Sequence, residues 1–151
     1  MSFLREHLKN NEIILLDGGV STEIQQRGVP MDTNVWSGIA HKFHPEVVLQ
    51  VHEDYIRAGA QVITANTFST ARHVLESIDL GSEVKTINTQ AVQLANAARD
   101  NAAKDETWIA GSMSSMAPFN SPQEVASGEK VANNYRELAE ILTEAGVDLI
   151  I

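Results

Sequence analysis

The stretch AGAQVI, residues 58–63, is followed later in the chain by a close copy, AGVDLI, residues 145–150. Each begins with an alanine and a glycine suited to the end of a helix, and continues into an apolar run suited to a buried strand. A helix-to-strand joint that occurs twice in the same register is typical of repeated β-α units. The two stretches therefore predict an α/β fold with a parallel sheet.

Four buried strands are predicted around these joints. They are continuous apolar runs rather than alternating ones, as expected for parallel strands that are covered on both faces. The predicted strands are residues 13–16, 61–66, 107–111 and 147–151. This pattern suits either an open doubly wound sheet or part of a (β/α)8 barrel, and the pattern alone does not separate the two.

Helices are predicted between the strands. Ser21 or Thr22 is suited to cap a short helix that ends at Gly28, and residues 29–43 have no clear period and are expected to form a long loop. Three longer helices have apolar faces. These faces consist of Val48, Val51 and Tyr55 in a helix that begins at His44-Pro45 and ends at Gly59; of Val84, Ile87, Ala91, Leu94, Ala98 and Ala102 in residues 83–103; and of Val131, Tyr135, Leu138, Leu142 and Ala145 after a polar loop of residues 112–127.

The composition sets limits on function. The 151 residues are enough for one domain with a real core, and 43% of them are hydrophobic. The net charge of −9 argues against nucleic acid and anionic membranes as partners, because both need a basic surface. No apolar run exceeds four residues, so we predict no transmembrane helix and a cytoplasmic location. The chain has no cysteine, hence no disulfide and no thiolate ligand.

Polar residues follow three of the predicted strands. They are Asp17-Gly18-Gly19, Asn66-Thr67-Phe68-Ser69 and Gly111-Ser112-Met113-Ser114. Each has a structural explanation by itself, since Asp17 could cap a turn, the glycines could supply positive φ and Asn66 could fix its own loop. Because ligands bind at the carboxyl ends of strands in both candidate folds, the three together favour a ligand site.

Several motifs of the chain, taken in order and spacing, resemble those of the homocysteine S-methyltransferases. The motifs are DGGVSTEI (residues 17–24), Trp36-Ser37, His44-Pro45 with His52 and Tyr55, RAGA (57–60), TANTF (64–68), IAGS (109–112) and AGVDLI (145–150). The resemblance implies a (β/α)8 TIM barrel and transfer of a methyl group to the thiol of homocysteine, which gives methionine. It also implies that the Asp-Gly-Gly after the first strand holds the amino acid end of homocysteine.

Physical chemistry agrees with that implication. A glycine pair lets backbone N–H groups approach a carboxylate without a Cβ in the way, and Asp17 beside it can attract an ammonium. Asn66 and Thr67 offer neutral donors and acceptors, and Trp36 and Phe68 are either core residues or an apolar wall for a positively charged methyl donor. The predicted substrate-binding residues are Asp17, Gly18, Gly19, Thr22, Glu23, Trp36, Asn66, Thr67, Phe68 and Ser112.

The chain also departs from the family pattern. The resemblance implies a zinc ion, held by three cysteines from later strands, that converts the substrate thiol to thiolate, yet this chain has no cysteine. The close pair His41 and His44 is not predicted to bind zinc, and we predict no metal ligand within the chain. The acid that binds the substrate amine in the family follows the fourth strand, beyond Ile151. Ser69 stands where betaine-using relatives have an aromatic residue, which weakens betaine as donor.

Three interpretations remain open. The first is the amino-terminal half of a zinc-dependent homocysteine methyltransferase, since a barrel of this kind takes about 250 residues. The methyl donor is then S-methylmethionine, betaine or a folate. The second is a non-catalytic half-barrel that binds an amino acid or a partner chain. The third, an open domain binding phosphate at Gly18-Gly19, has no supporting motif spacing. In a half-barrel the first and fourth strands are open edges, and we expect self-association through them.

Overall fold

A computed structural model describes residues 2–103, 106–115 and 128–151. Parallel strands alternate with helices through this part of the chain, as the two helix-to-strand joints predict. The elements are α1 (Ser2–Lys9), α2 (Val20–Gln26), α3 (Ala40–Phe43), α4 (Pro45–Arg57), β1 (Val62–Ala65), α5 (Arg72–Glu76), a 3-10 turn (Gly81–Glu83), α6 (Val84–Ala102), β2 (Trp108–Gly111), α7 (Gly128–Ala145) and β3 (Leu149–Ile150).

The sheet has the order β1-β2-β3, and both strand pairs are parallel. Leu16 adds a single parallel bridge to Val62 on the free side of β1. The extended segment before Asp17 therefore lies where the first predicted strand belongs, and the four segments follow one another in chain order. The structure confirms the α/β fold with a parallel sheet, which is consistent with a partial barrel.

The two faces of the sheet are covered differently. Ile63, Ala65 and Ile109 belong to the main core, which residues of α4, α6 and α7 complete. Val62 and Trp108 lie on the opposite face, in a smaller cluster against which Ile14 and Leu149 are only partly buried. Among the described residues, the hydrophobic cluster on the first face is therefore the larger of the two.

The first predicted strand is corrected by the structure. Residues 13–16 are not a buried strand, because Ile13, Leu15 and Leu16 are 84%, 54% and 57% exposed. The backbone is nonetheless aligned with β1, since the N–H groups of Gln61 and Val62 both donate to the Leu15 carbonyl. An apolar run alone does not bury a strand that has a neighbour on one side only.

Other local predictions have mixed outcomes. The helix from Pro45 and its end at Gly59 are confirmed, since Pro45 occupies the first turn and Gly59 has φ +104°. The predicted cap by Ser21 or Thr22 is wrong, because Gly19 precedes α2 and no side chain caps it. The predicted loop of residues 29–43 contains α3.

Helix α1 was not predicted from the sequence. The ring of its His7 meets the Trp108 ring edge-on, with the two ring centroids 5.8 Å apart, on the sheet face opposite α6. Helix α1 therefore contacts the sheet on the face opposite the one that α4, α6 and α7 cover. Most of the predicted loop of residues 112–127, from residue 116 onward, lies outside the described residues. No helix in the described part of the chain is both long and apolar enough to cross a membrane.

Candidate functional site

Asp17 lies at the carboxyl end of the first extended segment and is bound to β1. The backbone N–H of Thr64 donates to Asp17 Oδ2 at 2.6 Å, and the Thr64 hydroxyl donates to Oδ1 at 2.8 Å. Burial raises the pKa of Asp17 above its ordinary value, while these hydrogen bonds act in the opposite direction. Each carboxylate oxygen keeps a second lone pair, so the fixed carboxylate can still accept a donor from a ligand.

The two glycines after Asp17 are exposed and closely bordered by side chains. A Cβ placed on Gly18 would lie 2.7 Å from Tyr55 Oη, and one on Gly19 would lie 3.1 Å from Thr22 Oγ1. A side chain at Gly18 would therefore displace the Tyr55 ring, and one at Gly19 would need a small shift of Thr22, although neither glycine has a positive φ. The pKa of Tyr55 is raised by burial first and then by the negative charges of Glu23 and Asp17.

A buried network joins the second polar tail to the loop before α3. Asn66 Nδ2 donates to the Ser37 carbonyl at 2.6 Å, and the Ser37 hydroxyl donates to Asn66 Oδ1 at 3.1 Å. The hydroxyls of Ser21 and Ser37 are 2.6 Å apart, so the network extends to α2. Asn66 thus holds the three segments together, and its amide is largely used by the protein.

The hydroxyl of Thr67 links the tails of β1 and β2. It donates to the Ser112 carbonyl at 2.9 Å and accepts the Ser112 backbone N–H at 2.9 Å. Thr70 donates to the Thr67 carbonyl and is itself bound to Asn88 on α6. Thr67 and Ser112 are buried, so both position the strand ends rather than face solvent.

Trp36 and Phe68 stack on each other at the surface. Their ring centroids are 5.9 Å apart with an interplanar angle of 19°, and the residues are 45% and 44% exposed. Core packing is therefore excluded for both rings. Because Trp36 precedes Ser37 and Phe68 follows Thr67, this aromatic pair lies beside the buried network.

The predicted site residues are only partly brought together. Asp17, Asn66, Thr67 and Ser112 share the carboxyl edge of the sheet, and Trp36 stacks on Phe68 there, while Gly18 and Gly19 follow Asp17. Thr22 is exposed above Gly19, and Glu23 is 3.6 Å from Arg27 in an ion pair. None of the ten lines the cavity of about 580 Å³ between α5 and α7, which Arg72 and Glu137 help to line.

Sequence reasoning missed several residues that build this edge. Thr64, Ser37 and Ser21 carry the hydrogen bonds that fix Asp17 and Asn66. Thr64 had a visible signal, since it is a polar residue within an apolar strand. Tyr55 was read as part of a buried stripe, and nothing in its spacing shows that its hydroxyl lies over Gly18.

The residues present do not fit a zinc site. Among residues 2–103, 106–115 and 128–151, no three histidine, aspartate or glutamate side chains lie together as metal ligands. His41 is buried, with Nε2 2.9 Å from the Ile87 carbonyl oxygen, whereas the side chain of His44 is 43% exposed near Glu46.

Comparison with known proteins points in one direction. Residues 14–151 match the family described as homocysteine S-methyltransferase. The homocysteine S-methyltransferase of Escherichia coli (strain K12) is 31% identical, with 97% of this chain and 51% of that protein covered. Betaine–homocysteine S-methyltransferase 1 of Danio rerio is 29% identical, with 97% of this chain and 35% of that protein covered.

A solved structure extends the comparison to the fold. The metallated form of the homocysteine methyltransferase MmuM from Escherichia coli superposes with a TM-score of 0.80 at 28% identity. The match covers 95% of this chain and 54% of that one. The chain therefore spans about half the length of these bacterial relatives.

Proposed function

Because the chain belongs to the homocysteine S-methyltransferase family over residues 14–151, we propose that it forms the homocysteine-binding half of a (β/α)8 barrel. The complete barrel transfers a methyl group to the thiol of homocysteine and releases methionine. The proposal rests on the family membership, on the sequential parallel sheet and on the polar groups at its carboxyl edge. The remaining strands of the barrel would lie in the half of the family's sequences that this chain does not span.

The observation that carries the proposal is the fixed carboxylate of Asp17 next to two exposed glycines. The two hydrogen bonds from Thr64 hold the carboxylate in one orientation, where its free lone pairs can accept a substrate ammonium. Gly18 and Gly19 are both exposed, and their backbone N–H groups are proposed to bind the substrate carboxylate. An amino acid would thus be held by both of its charged groups at the turn formed by Asp17, Gly18 and Gly19.

The aromatic pair is proposed to bind the methyl donor. Trp36 and Phe68 present a partly exposed π surface, and a donor with a sulfonium or quaternary ammonium carries a positive charge that such a surface attracts. Ser69 follows Phe68 in place of an aromatic residue, which disfavours betaine as the donor. S-methylmethionine is therefore the donor with which the site is best tested.

Zinc is proposed for the complete protein only. A bound zinc would lower the pKa of the homocysteine thiol and so generate the nucleophilic thiolate. The chain has no cysteine, so we propose that the ligands come from the part of the family's length that these 151 residues do not span. The chain by itself is then expected to bind homocysteine without methylating it. The cytoplasmic location stays a prediction.

A second candidate is a half-barrel that binds an amino acid or a partner chain without catalysis. It is favoured by the exposed apolar residues of the sheet edges, Leu15 and Leu16 at one edge and Ile150 and Ile151 at the other. Both edges are open to further strands, so we propose that the isolated chain self-associates through them. Methionine formation by a complete protein that contains this half separates the two candidates, because only the first predicts it.

Homocysteine binding tests the site directly. Asp17→Asn removes the charge that attracts the ammonium but keeps an acceptor for Thr64. We expect calorimetric titration with homocysteine to show at least a tenfold loss of affinity, because the ammonium then meets a neutral amide oxygen instead of a carboxylate and the ion pair is lost.

The matched control is Asp54→Asn. Asp54 is a half-exposed acid on α4 that is bound to Arg27, and its replacement is expected to leave homocysteine affinity unchanged. Equal affinities in the two variants would contradict the role of Asp17. No binding of homocysteine to the unaltered chain would contradict the proposed function.

A further inference from the structure

Trp36 has a backbone conformation that is unusual for a large side chain. Its φ is +50°, in the left-handed region. Among the described residues, Asn11 and Asp79 are the other non-glycine residues with a positive φ. A bulky residue in this region costs of the order of 1–2 kcal/mol, and it persists only where the surroundings over-determine it. Something must therefore hold Trp36 in this conformation.

Asp32 closes the turn that ends at Trp36. The Asp32 N–H donates to the Trp36 carbonyl at 3.0 Å, and the Trp36 N–H donates to the Asp32 carbonyl at 3.1 Å. Asp32 Oδ1 also accepts the backbone N–H groups of Asn34 at 2.7 Å and Val35 at 3.0 Å. The hydrogen bonds from the Val35 and Asn34 N–H groups hold the pKa of Asp32 below its ordinary value, and the Val35 N–H has the larger effect.

The residues on either side of Trp36 are fixed in the interior. Val35 is fully buried, and Ser37 is buried and bonded to Asn66. Gly38 is also confined, since a Cβ there would lie 2.8 Å from the Val35 carbonyl oxygen. The neighbours of Trp36 are thus held in the interior, while its indole lies outside and stacks on Phe68.

We propose that Asp32 is a positioning residue, which keeps the Trp36 indole stacked on Phe68 and so maintains the aromatic face that binds a positively charged methyl donor. The inference rests on the proposed function and deepens it, because it names a residue that acts on the donor through Trp36. Without the carboxylate, two N–H groups of the turn lose their acceptor. Trp36 then relaxes from the left-handed region, and the indole leaves Phe68.

The first test follows the ring contact. Nuclear Overhauser effects between the Trp36 indole and the Phe68 ring are expected in the unaltered chain and in Asp32→Asn, because an asparagine oxygen can accept the same two N–H groups. They are expected to disappear in Asp32→Ala. Far-UV circular dichroism of the three proteins checks that the fold is retained. Retention of the ring contact in Asp32→Ala would overturn the proposal.

The second test measures the affinity for S-methylmethionine by calorimetric titration. Asp32→Ala is expected to weaken binding three- to tenfold and Asp32→Asn to keep it. Trp36→Gly accepts a positive φ without strain but has no ring, and it is expected to weaken binding at least as much as Asp32→Ala. Equal affinity in Asp32→Ala and the unaltered chain would overturn the proposal.

The two tests separate this inference from the function on which it rests. If the unaltered chain binds homocysteine but not S-methylmethionine, the donor role of the aromatic pair is wrong, and the donor part of this inference falls with it. If donor binding is lost in Trp36→Gly but unchanged in Asp32→Ala, the aromatic site stands and the role of Asp32 is refuted.

Discussion

His52 gives the fold a sensitivity to acid that can be measured. It lies on α4 with no exposed surface, and neither ring nitrogen has a hydrogen-bond partner among the described residues. Burial lowers the pKa of His52 from 6.5 to about 4, and the nearby His41 adds to this shift. The pKa of His41 is also lowered to about 4 by burial.

The sign and size of the effect follow from these values. Between pH 6.5 and 4 the unfolded chain binds more protons at both histidines than the folded chain does, so the free energy of unfolding decreases as the pH falls. Above pH 6.5 both histidines are neutral in the folded and the unfolded chain, so they do not lower the free energy of unfolding. At pH 5 each histidine removes about 2 kcal/mol, because one pKa unit corresponds to about 1.4 kcal/mol. Two such groups cost a large part of the 5–15 kcal/mol of a typical domain.

The perturbation is His52→Leu, which replaces the imidazole by an apolar side chain of similar size. Urea unfolding followed by circular dichroism at pH 7 and pH 5 gives the free energy of unfolding of each protein. We expect the variant to lose about 2 kcal/mol less than the unaltered chain between these pH values. It should be at least as stable at pH 7, since a buried polar group without partners is removed.

The control is His44→Leu, at a partly exposed histidine next to α4, which separates the loss of a buried imidazole from the loss of any imidazole. The raised pKa of Asp17 acts in the opposite direction, since the folded chain then holds the extra proton, but this contribution is common to all three proteins. Parallel loss of stability in His52→Leu and the unaltered chain would refute the reasoning. It would mean that His52 becomes protonated without unfolding.

Two further predictions concern the strand ends and the sheet edges. Thr67→Val removes the hydroxyl between the tails of β1 and β2 and leaves the buried N–H of Ser112 without its acceptor, so we expect a loss of about 1–3 kcal/mol in urea unfolding. Thr143→Val, at an exposed hydroxyl on α7, should change the free energy of unfolding by less than about 0.5 kcal/mol. Equal losses in the Thr67 and Thr143 variants would contradict the role of Thr67 in positioning the strand ends. The isolated chain should scatter light as a dimer or larger species, because residues 13–16 and 149–151 are open apolar edges. A cooperatively melting monomer would show that these edges do not associate.

The order of helices and strands is determined locally and could be predicted. Gly59 and Gly146 have φ +104° and +93°, as the two helix-to-strand joints require. Ala98 of the predicted α6 face and Leu138 and Leu142 of the predicted α7 face pack in the same cluster as the strands. Val84 and Ile87 of the predicted α6 face instead pack in a separate cluster with Leu75. Hydrophobic period and helix-ending glycines act over a few residues, so the sequence carries them directly. The polar strand tails were also visible, because parallel strands place their carboxyl ends at one edge.

What the tertiary structure alone decided is how much each group is buried and which groups meet. Residues 13–16 are as apolar as a buried strand, yet Ile13, Leu15 and Leu16 are exposed, because β1 is the one strand beside them in the described part of the chain. Asn66 and Thr67 were predicted to face a ligand, but contacts with Ser37 and Ser112, distant in sequence, use most of their hydrogen-bonding groups. The left-handed backbone of Trp36 likewise lies between two buried neighbours, Val35 and Ser37, in a turn that Asp32 closes. Such features depend on long-range packing and hydrogen bonding, which local sequence patterns do not encode.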